Sequence, residues 1–490
     1  MPPTAREALI QGYRRRDPTE TLLYRLLSEH AESFLAELDA LGQVGLPRFV
    51  KRELRGFLEC GILAHGFARV HCFVCGRDSL VAFSCKGRAF CPSCGGRRMT
   101  ATAAHLVDRV LPEAPIRQWV LSLPYAFRLP CAFDHELLAR VRQVFVRAVF
   151  SCTLRRARAQ GLEAGALGFR TGAVNVVQRT GGALNLNPHL HAIFVDGVYT
   201  RDSPFGRVRF QELPPPEPSD VEWTLRRVHS RLRRLFEKRA EEGAGPEAER
   251  ANDLLAHLAA ASVRGQSATG HEAGHQLPAL FAPEPEPRAA NHSTPPLVAT
   301  GAGFSLHAGV HVPANRRGRL EKLCRYIARP PLATERLTID EQGRILYSLR
   351  HPYQGRTHVV FTPRTLLERL CAMVPPPRRH LLTYHGVLAP ASSWRSDVVP
   401  QPASRGRGPF ASRGGVGSGA YRWAELLKRA FGADVLVCEC GARREVISCI
   451  TDRSVAARIL RHLGLPEEPP ASTPPRAPPI LDFGAATNGC

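Results

Sequence analysis

Lysine is scarce in this chain: only Lys51, Lys86, Lys238, Lys322 and Lys428 occur, and the other 61 of its 66 basic residues are arginine. A GC-rich gene produces that bias without selection, so the sign of the charge carries more information than the residue type. Acidic residues are also few, 44 against those 66, and the formal charge of +22 points to a polyanionic partner, nucleic acid first. No run approaches the roughly eighteen consecutive apolar residues of a membrane-spanning helix. The start of the chain lacks the basic-then-apolar pattern of a secretory signal, so the expected location is the cytosol. There the 14 cysteines stay reduced, and clustered ones read as metal ligands before disulfides. No internal repeat is found.

At 490 residues, 44% apolar and 22% charged, the chain is too long for one core and ordinary enough in composition to fold for most of its length. Apolar residues at helical spacing (Leu22, Leu23, Leu26, Leu27, Phe34, Leu35, Leu38) open an N-terminal helical and zinc-binding domain over 1–110. The first half of a second domain spans 111–242. It contains a buried strand in RQWVLSLPYAFR ending at Pro124, a long helix capped by Asp134, two strands joined at Gly181 and Gly182, and an Arg-rich helix over 219–239. Residues 243–303, rich in Ala, Pro, Glu and Gly, are expected to be a mostly disordered insertion. The second half, 304–390, holds FSLHAGVHVP, a basic helix to Arg329, a hairpin at Gly355 and a helix from Pro363 to Met373. A Gly/Arg/Ser linker (391–424), a small C-terminal domain (425–466) and a disordered Pro-rich tail (467–490) complete the expected organisation. The fold class is α+β.

Cys72 and Cys75 stand two residues apart, and Cys91 and Cys94 repeat the spacing after fifteen residues. Two such turns complete a tetrahedral four-sulfur shell of the kind that holds structural zinc. Gly76 and Gly95 follow each pair, and Arg97 and Arg98 place positive charge beside the second for phosphate contact. A redox or disulfide cluster is the competing reading. Cys60 and Cys85 are read as spare thiols; either could replace a member of the four, with buried free cysteine the preferred reading.

His189 and His191 lie within LNPHLHAIFVDGVY. On a strand, residues two apart share a face, so both imidazoles can reach one divalent ion while Leu190, Ala192 and Phe194 pack the other side. With 19 histidines in the chain, the short motif also arises by chance, and two core histidines stay open as an alternative. Gln178, on the preceding strand, is the first choice for a third ligand, with Asp196 and His311 behind it.

Leu320, Leu323, Cys324 and Ile327 make one apolar helical stripe, and Tyr326 falls about 110° away from it. Lys322 lies one turn before Tyr326 and Arg329 one turn after, so cations flank a phenol that faces a groove and favour its nucleophilic form. A surface tyrosine among basic residues is the bland equivalent.

Taken together, FSCKGRAFCPSCGGRR (Phe83 to Arg98), RQWVLSLP, LNPHLHAIFVDGVY, CRYIARPPLATERL (Cys324 to Leu337), YHGVLAP and ITDRSVAARILRHLGLP resemble the transposases of rolling-circle insertion elements, the IS91-like and common-region group. The blocks run in family order over roughly Glu29 to Pro390 and again from Leu426 to Pro466. The resemblance implies a zinc domain followed by a His-hydrophobe-His (HUH) nuclease domain, an antiparallel sheet flanked by helices. It implies Mg²⁺ or Mn²⁺ on His189 and His191, attack by Tyr326 on single-stranded DNA at element ends and target, and a 5′-phosphotyrosyl intermediate. DNA-phosphate contacts from Arg97, Arg98, Lys322 and Arg329 follow, as does a bacterial cytoplasm with nucleoid association through DNA; no nucleotide cofactor or membrane is implied. A plasmid replication initiator or relaxase shares this chemistry, and a zinc-containing DNA-binding protein with a decayed nuclease site shares the charge and cysteines. A carboxylate-dependent transposase is a further option, without a cluster of acids to suggest it. Some relatives have a second tyrosine one turn from the first, where this chain has Lys322 and Pro330. Relatives also carry a further Cys-x-x-Cys near the C-terminus; here a single residue separates Cys438 and Cys440, which argues against a second zinc.

Overall fold

The computed structural model describes residues 16–40, 45–241, 253–281, 297–353, 355–401, 423–432 and 434–475. Helices and antiparallel sheets mix along the chain, the α+β class. The central sheet has six strands in the spatial order Leu382–Gly386, Gly172–Thr180, Leu186–Val195, Ile116–Ser122, Phe304–Val312 and Val298–Gly301, with every neighbouring pair antiparallel.

Strand Leu186–Val195 lies inside this sheet and is covered on both faces, which is why its apolar residues run almost without interruption. Alternation sends Leu190, Ala192 and Phe194 to one face. There they pack with Trp119 and Leu121 against Val141 and Phe145 of helix His135–Ala159 and Val221 and Leu225 of helix Pro218–Glu241. Asp134 starts the first of these helices by accepting hydrogen bonds from the backbone N–H groups of Glu136 and Leu137. Ile193 and Val195 point the other way, joining Ile116 and Val174 against Leu106 of helix Pro92–Arg109 and Leu320, Leu323 and Cys324 of helix Arg317–Ile327. His189 and His191 have this second parity. The sheet therefore turns both imidazoles towards the side where the tyrosine helix packs.

Besides the two-stranded pair of Gly197–Thr200 with Arg209–Glu212, two smaller sheets accompany it. Strands Leu337–Ile339, Ile345–Tyr353, Arg356–Phe361 and Ala279–Phe281 form one, in that order. In the other, the hairpin Phe67–His71 and Asp78–Ala82 is extended by Glu445–Ile450, which pairs antiparallel with Phe67–His71.

The stretch expected to be a mostly disordered insertion contains structure. Helix Leu254–Arg264 is capped by Asp253, ends at Gly265 in the left-handed region (φ 73°), and buries Leu254, Leu255 and Leu258. Its partners are helix Pro363–Met373 and, through the shared core, helix Leu22–Ala40. Strand Val298–Gly301 is an edge of the central sheet. The one short apolar helical stretch that the sequence shows near Leu254 to Leu258 belongs to an eleven-residue helix whose stabilising contacts come from distant sequence, while 243–252 and 282–296 lie outside the described residues. The same core takes in Leu370 and Leu460, so the expected N-terminal, second-half and C-terminal units share packing and are not separate bodies. The Arg405 to Ala420 linker and residues 476–490 of the expected tail also lie outside the described residues.

If helix Leu254–Arg264 is core, Leu258→Ala should lower unfolding free energy by about 2–5 kcal/mol in a urea titration, as large-to-small core substitutions do. A shift within about 0.5 kcal/mol, the range of surface substitutions, would return the segment to the disordered class.

Candidate active site and cysteine clusters

The histidine pair is set by its own strand and the next. His189 Nδ1 lies 2.7 Å from the Asn187 carbonyl oxygen, so the ring donates there and keeps a lone pair on Nε2. His191 Nδ1 lies 2.8 Å from the carboxamide of Gln118 on strand Ile116–Ser122. As placed, the Gln118 Nε2–H donates to Nδ1; a 180° turn of the carboxamide would bring its oxygen there instead, so that Nδ1–H donates and Nε2 of His191 holds a lone pair. That Nε2 is buried without a hydrogen-bond partner, a costly state for an isolated polar atom and the state a metal ligand requires. Burial pushes the His191 pKa down to about 3, with His189 and Arg329 adding to the effect, and burial also lowers His189. Both rings are therefore neutral at pH 7, the form that binds metal, and their centroids are 4.9 Å apart. The donor set fits a divalent cation.

Tyr326 sits in the last turn of helix Arg317–Ile327, its ring centroid 6.0 Å from that of His191 and its side 39% exposed. The guanidinium groups of Arg329 and Arg350 lie 4.4 and 5.5 Å from its ring centroid. Gln178 is directly opposite His189 in register. Its Nε2 donates to the carbonyl oxygens of Ile327 at 2.8 Å and Tyr326 at 3.2 Å, tying the end of the tyrosine helix to the sheet beside the histidines. Its Oε1 is 3.5 Å from the Arg329 guanidinium.

The reserve choices for a third ligand are elsewhere. Asp196 ends up at the far end of the strand, about 24 Å from His189 by strand rise, and is held by Arg117 at 2.7 Å. His311 stands 3.9 Å from Asp196. Among the described residues no further His, Cys, Asp or Glu joins the pair to make a group of three, which leaves Gln178 as the neighbouring donor.

Tyr326, Gln178, Lys322 and Arg329 line a groove of about 1470 Å³, and Arg88, Arg98, Arg336 and Arg350 line it as well. Of the residues expected to contact DNA phosphate, Arg98, Lys322 and Arg329 line the groove, whereas Arg97 is not among its lining residues. Gln118 and Arg336 lie inside the motifs RQWVLSLP and CRYIARPPLATERL without being singled out there, and Arg350 lies in none; strand register and packing bring them here.

The four cysteines expected to share one ion do not meet. Cys72 and Cys75 occupy the tip of hairpin Phe67–Ala82, while Cys91 and Cys94 lie beyond its base at the start of helix Pro92–Arg109. Five residues of strand, about 17 Å, separate the two ends. At the base, Cys91 and Cys94 meet Cys60 and Cys85, the thiols expected to be spare, with Sγ–Sγ distances of 3.7 Å (Cys60–Cys94), 3.6 Å (Cys60–Cys91) and 3.4 Å (Cys85–Cys94). At the tip, Cys72 and Cys75 meet Cys438 and Cys440. Sulfur ligands about 2.3 Å from zinc in a tetrahedron stand about 3.8 Å from each other, so the base cluster fits a four-thiolate zinc shell. A disulfide, at about 2.05 Å, does not match these separations.

Residues 26–123 match the transposase zinc-binding domain of the IS91 type, and residues 172–396 match the transposase family Y2_Tnp. The chain belongs to the IS91-type transposases. No curated protein and no solved structure matches it. As an IS91-type transposase it is a nucleic-acid-processing enzyme that binds DNA, which accounts for the charge of +22. The base cluster falls wholly within the zinc-binding match and could hold a metal ion, and the second match contains His189, His191, Gln178 and Tyr326. Among the described residues no helix is long and apolar enough to cross a membrane.

The depressed His191 pKa has a sign that can be checked. An unfolded histidine titrates near 6.5 and the folded one near 3, so folding is fully favoured above about pH 6.5 and loses that contribution as pH falls towards 3. Without added divalent metal, the urea midpoint should fall between pH 6.5 and 4, and His191→Gln should flatten that slope; an identical slope in the variant would contradict the assignment.

Proposed function

We propose that this transposase nicks and rejoins single-stranded DNA at the ends of its element, with Tyr326 as nucleophile and a divalent cation, Mg²⁺ or Mn²⁺, held by His189 and His191. The observation that carries this reading is the approach of the Tyr326 ring to His191, 6.0 Å between centroids, at the edge of a groove lined with arginine. The cation, when bound, supplies charge neutralisation on the non-bridging oxygens of the scissile phosphate.

The chain's own residues do the rest. Arg329 and Arg350 lie against the tyrosine ring, where they can hold a phosphate for in-line attack and offset the charge that builds on it. The phenolic oxygen bonds to phosphorus as the bond to the 3′-oxygen breaks. The phenol's proton is lost, the leaving oxygen gains one, and the products are a 5′-phosphotyrosyl strand and a free 3′-hydroxyl. Reversal of the same step by another 3′-hydroxyl rejoins DNA, so no nucleotide hydrolysis is needed. Gln178 contributes position, because its amide fixes the last turn of the tyrosine helix and so the distance from Tyr326 to the histidines. Lys322, on the same helix, and Arg98, across the groove, extend a path for the phosphate backbone.

With a single-stranded oligonucleotide carrying an element end and Mn²⁺, the full chain should form a protein–DNA adduct that survives denaturing electrophoresis, and Tyr326→Phe should form none. His189→Ala and His191→Ala should each reduce adduct formation by about 10²-fold or more, the scale of losing a principal electrostatic contributor. An undiminished adduct in Tyr326→Phe would remove this tyrosine from the mechanism.

Affinity for an oligonucleotide should also fall steeply with salt, by about 10³-fold or more between 50 and 200 mM if six or more phosphates are contacted. Filter binding or fluorescence anisotropy would show it, and Arg336→Ala or Arg350→Ala should flatten the dependence. A nearly salt-independent affinity would mean that the groove does not carry the backbone.

A further inference from the structure

The cluster at the hairpin tip extends beyond the zinc-binding match. Cys72 and Cys75 lie within residues 26–123, but Cys438 and Cys440 come from far downstream and from outside both family matches. We propose that Cys72, Cys75, Cys438 and Cys440 bind a second zinc ion, which clamps the C-terminal segment onto the zinc domain and thereby braces the tyrosine helix.

Three features carry the site. First, the sulfur atoms are at ligand spacing, with Cys72 and Cys440 Sγ at 3.6 Å and Cys75 and Cys438 Sγ at 3.5 Å, close to the edge of a tetrahedral zinc shell. Second, both pairs sit in glycine-closed turns, the second one residue shorter than the first. Gly76 N–H donates to the Cys72 carbonyl at 2.8 Å and Gly441 N–H to the Cys438 carbonyl at 2.9 Å, and both glycines are in the left-handed region, at φ 70° and 85°. Each turn is then closed from its first cysteine: Cys72 N–H donates to the Arg77 carbonyl and Cys438 N–H to that of Ala442, at 2.9 and 2.8 Å. The shorter spacing of Cys438 and Cys440 does not prevent the second turn from presenting both thiols. Third, the two turns are brought to one end by pairing of Glu445–Ile450 with Phe67–His71, in which Glu445 faces His71, and Arg77 bonds Glu439 across the junction at 2.6 Å.

The brace follows from what precedes Cys438. Helix Trp423–Phe431 carries Arg429, whose guanidinium reaches Asp108 on helix Pro92–Arg109 at 2.7 Å and Glu321 on the tyrosine helix at 2.8 Å. Arg325, the neighbour of Tyr326, donates to the Arg429 carbonyl at 3.2 Å. Surface ion pairs of this kind hold two elements together only weakly when one of them is free to leave. A metal fixing residues 438–440 keeps Arg429 within reach, so binding at the tip is linked to the order of the helix that carries Tyr326.

Cys75 and Cys440 are exposed whereas the base cluster is largely buried, so the two ions should differ in release rate. Elemental analysis of the full chain should give two zinc ions, and a mercurial titration followed with a zinc dye should release one quickly and one slowly. Cys438→Ser/Cys440→Ser should retain one ion, lost only in the slow phase. Hydrogen exchange in Arg317–Ile327 should then accelerate by about tenfold or more while Leu186–Val195 is unchanged, the pattern of a local opening. If the variant does not fold, removing only the fast ion from the unmodified chain and repeating the exchange measurement decides the same point. A single zinc in the unmodified chain, or two in the variant, overturns the site; loss of the fast ion with unchanged exchange in the tyrosine helix overturns the brace. None of these measurements involves DNA or cleavage, so their failure is separable from failure of the Tyr326 chemistry.

Discussion

Because strand Leu186–Val195 is buried on both faces, its register cannot slip by one residue without turning Leu190, Ala192 and Phe194 out of one core and both imidazoles into it. The alternation that packs those three residues against helices His135–Ala159 and Pro218–Glu241 therefore also aims His189 and His191 at the tyrosine helix. Gln118 and Gln178, on the strands to either side, complete the arrangement by holding one imidazole and the helix end. Chemistry-bearing groups here sit on rigid elements, and the sheet supplies the positioning that a loop could not.

The hairpin Phe67–Ala82 plays a comparable part for the cysteines. Its length decides which thiols can meet, and it sorts six cysteines of the N-terminal region into a base set of four and a tip pair that is completed from elsewhere. Gly95 shows how closely the base set borders the tyrosine helix, since a Cβ there would stand 2.7 Å from the Pro330 side chain, four residues beyond Tyr326. Zinc domain and tyrosine helix are in contact without a spacer.

Much of this was legible locally. Period-two alternation identified the histidine strand, the 3.6-residue stripe of Leu320, Leu323, Cys324 and Ile327 identified the buried side of the tyrosine helix, and Pro363 after Thr362 marked the start of a helix that forms with its capping box. Features that depend on which distant segments pair were not legible. The division of the cysteines needed the strand length between them and the return of Glu445–Ile450; Gln118 needed the register of a strand 73 positions upstream of His191; Leu254–Arg264 needed its partners Pro363–Met373 and Leu22–Ala40. Spacing along a chain reports what can share a turn or a face, not what will be neighbours after folding.

Pairing between the first hairpin and a strand ending at Ile450 also has a consequence for biosynthesis. On the ribosome, Phe67–His71 emerges long before its outer neighbour and must wait with one backbone edge unsatisfied until Glu445–Ile450 has been made. A product that stops short of Glu445 keeps that edge open, a row of unpaired backbone groups on which another chain can pair.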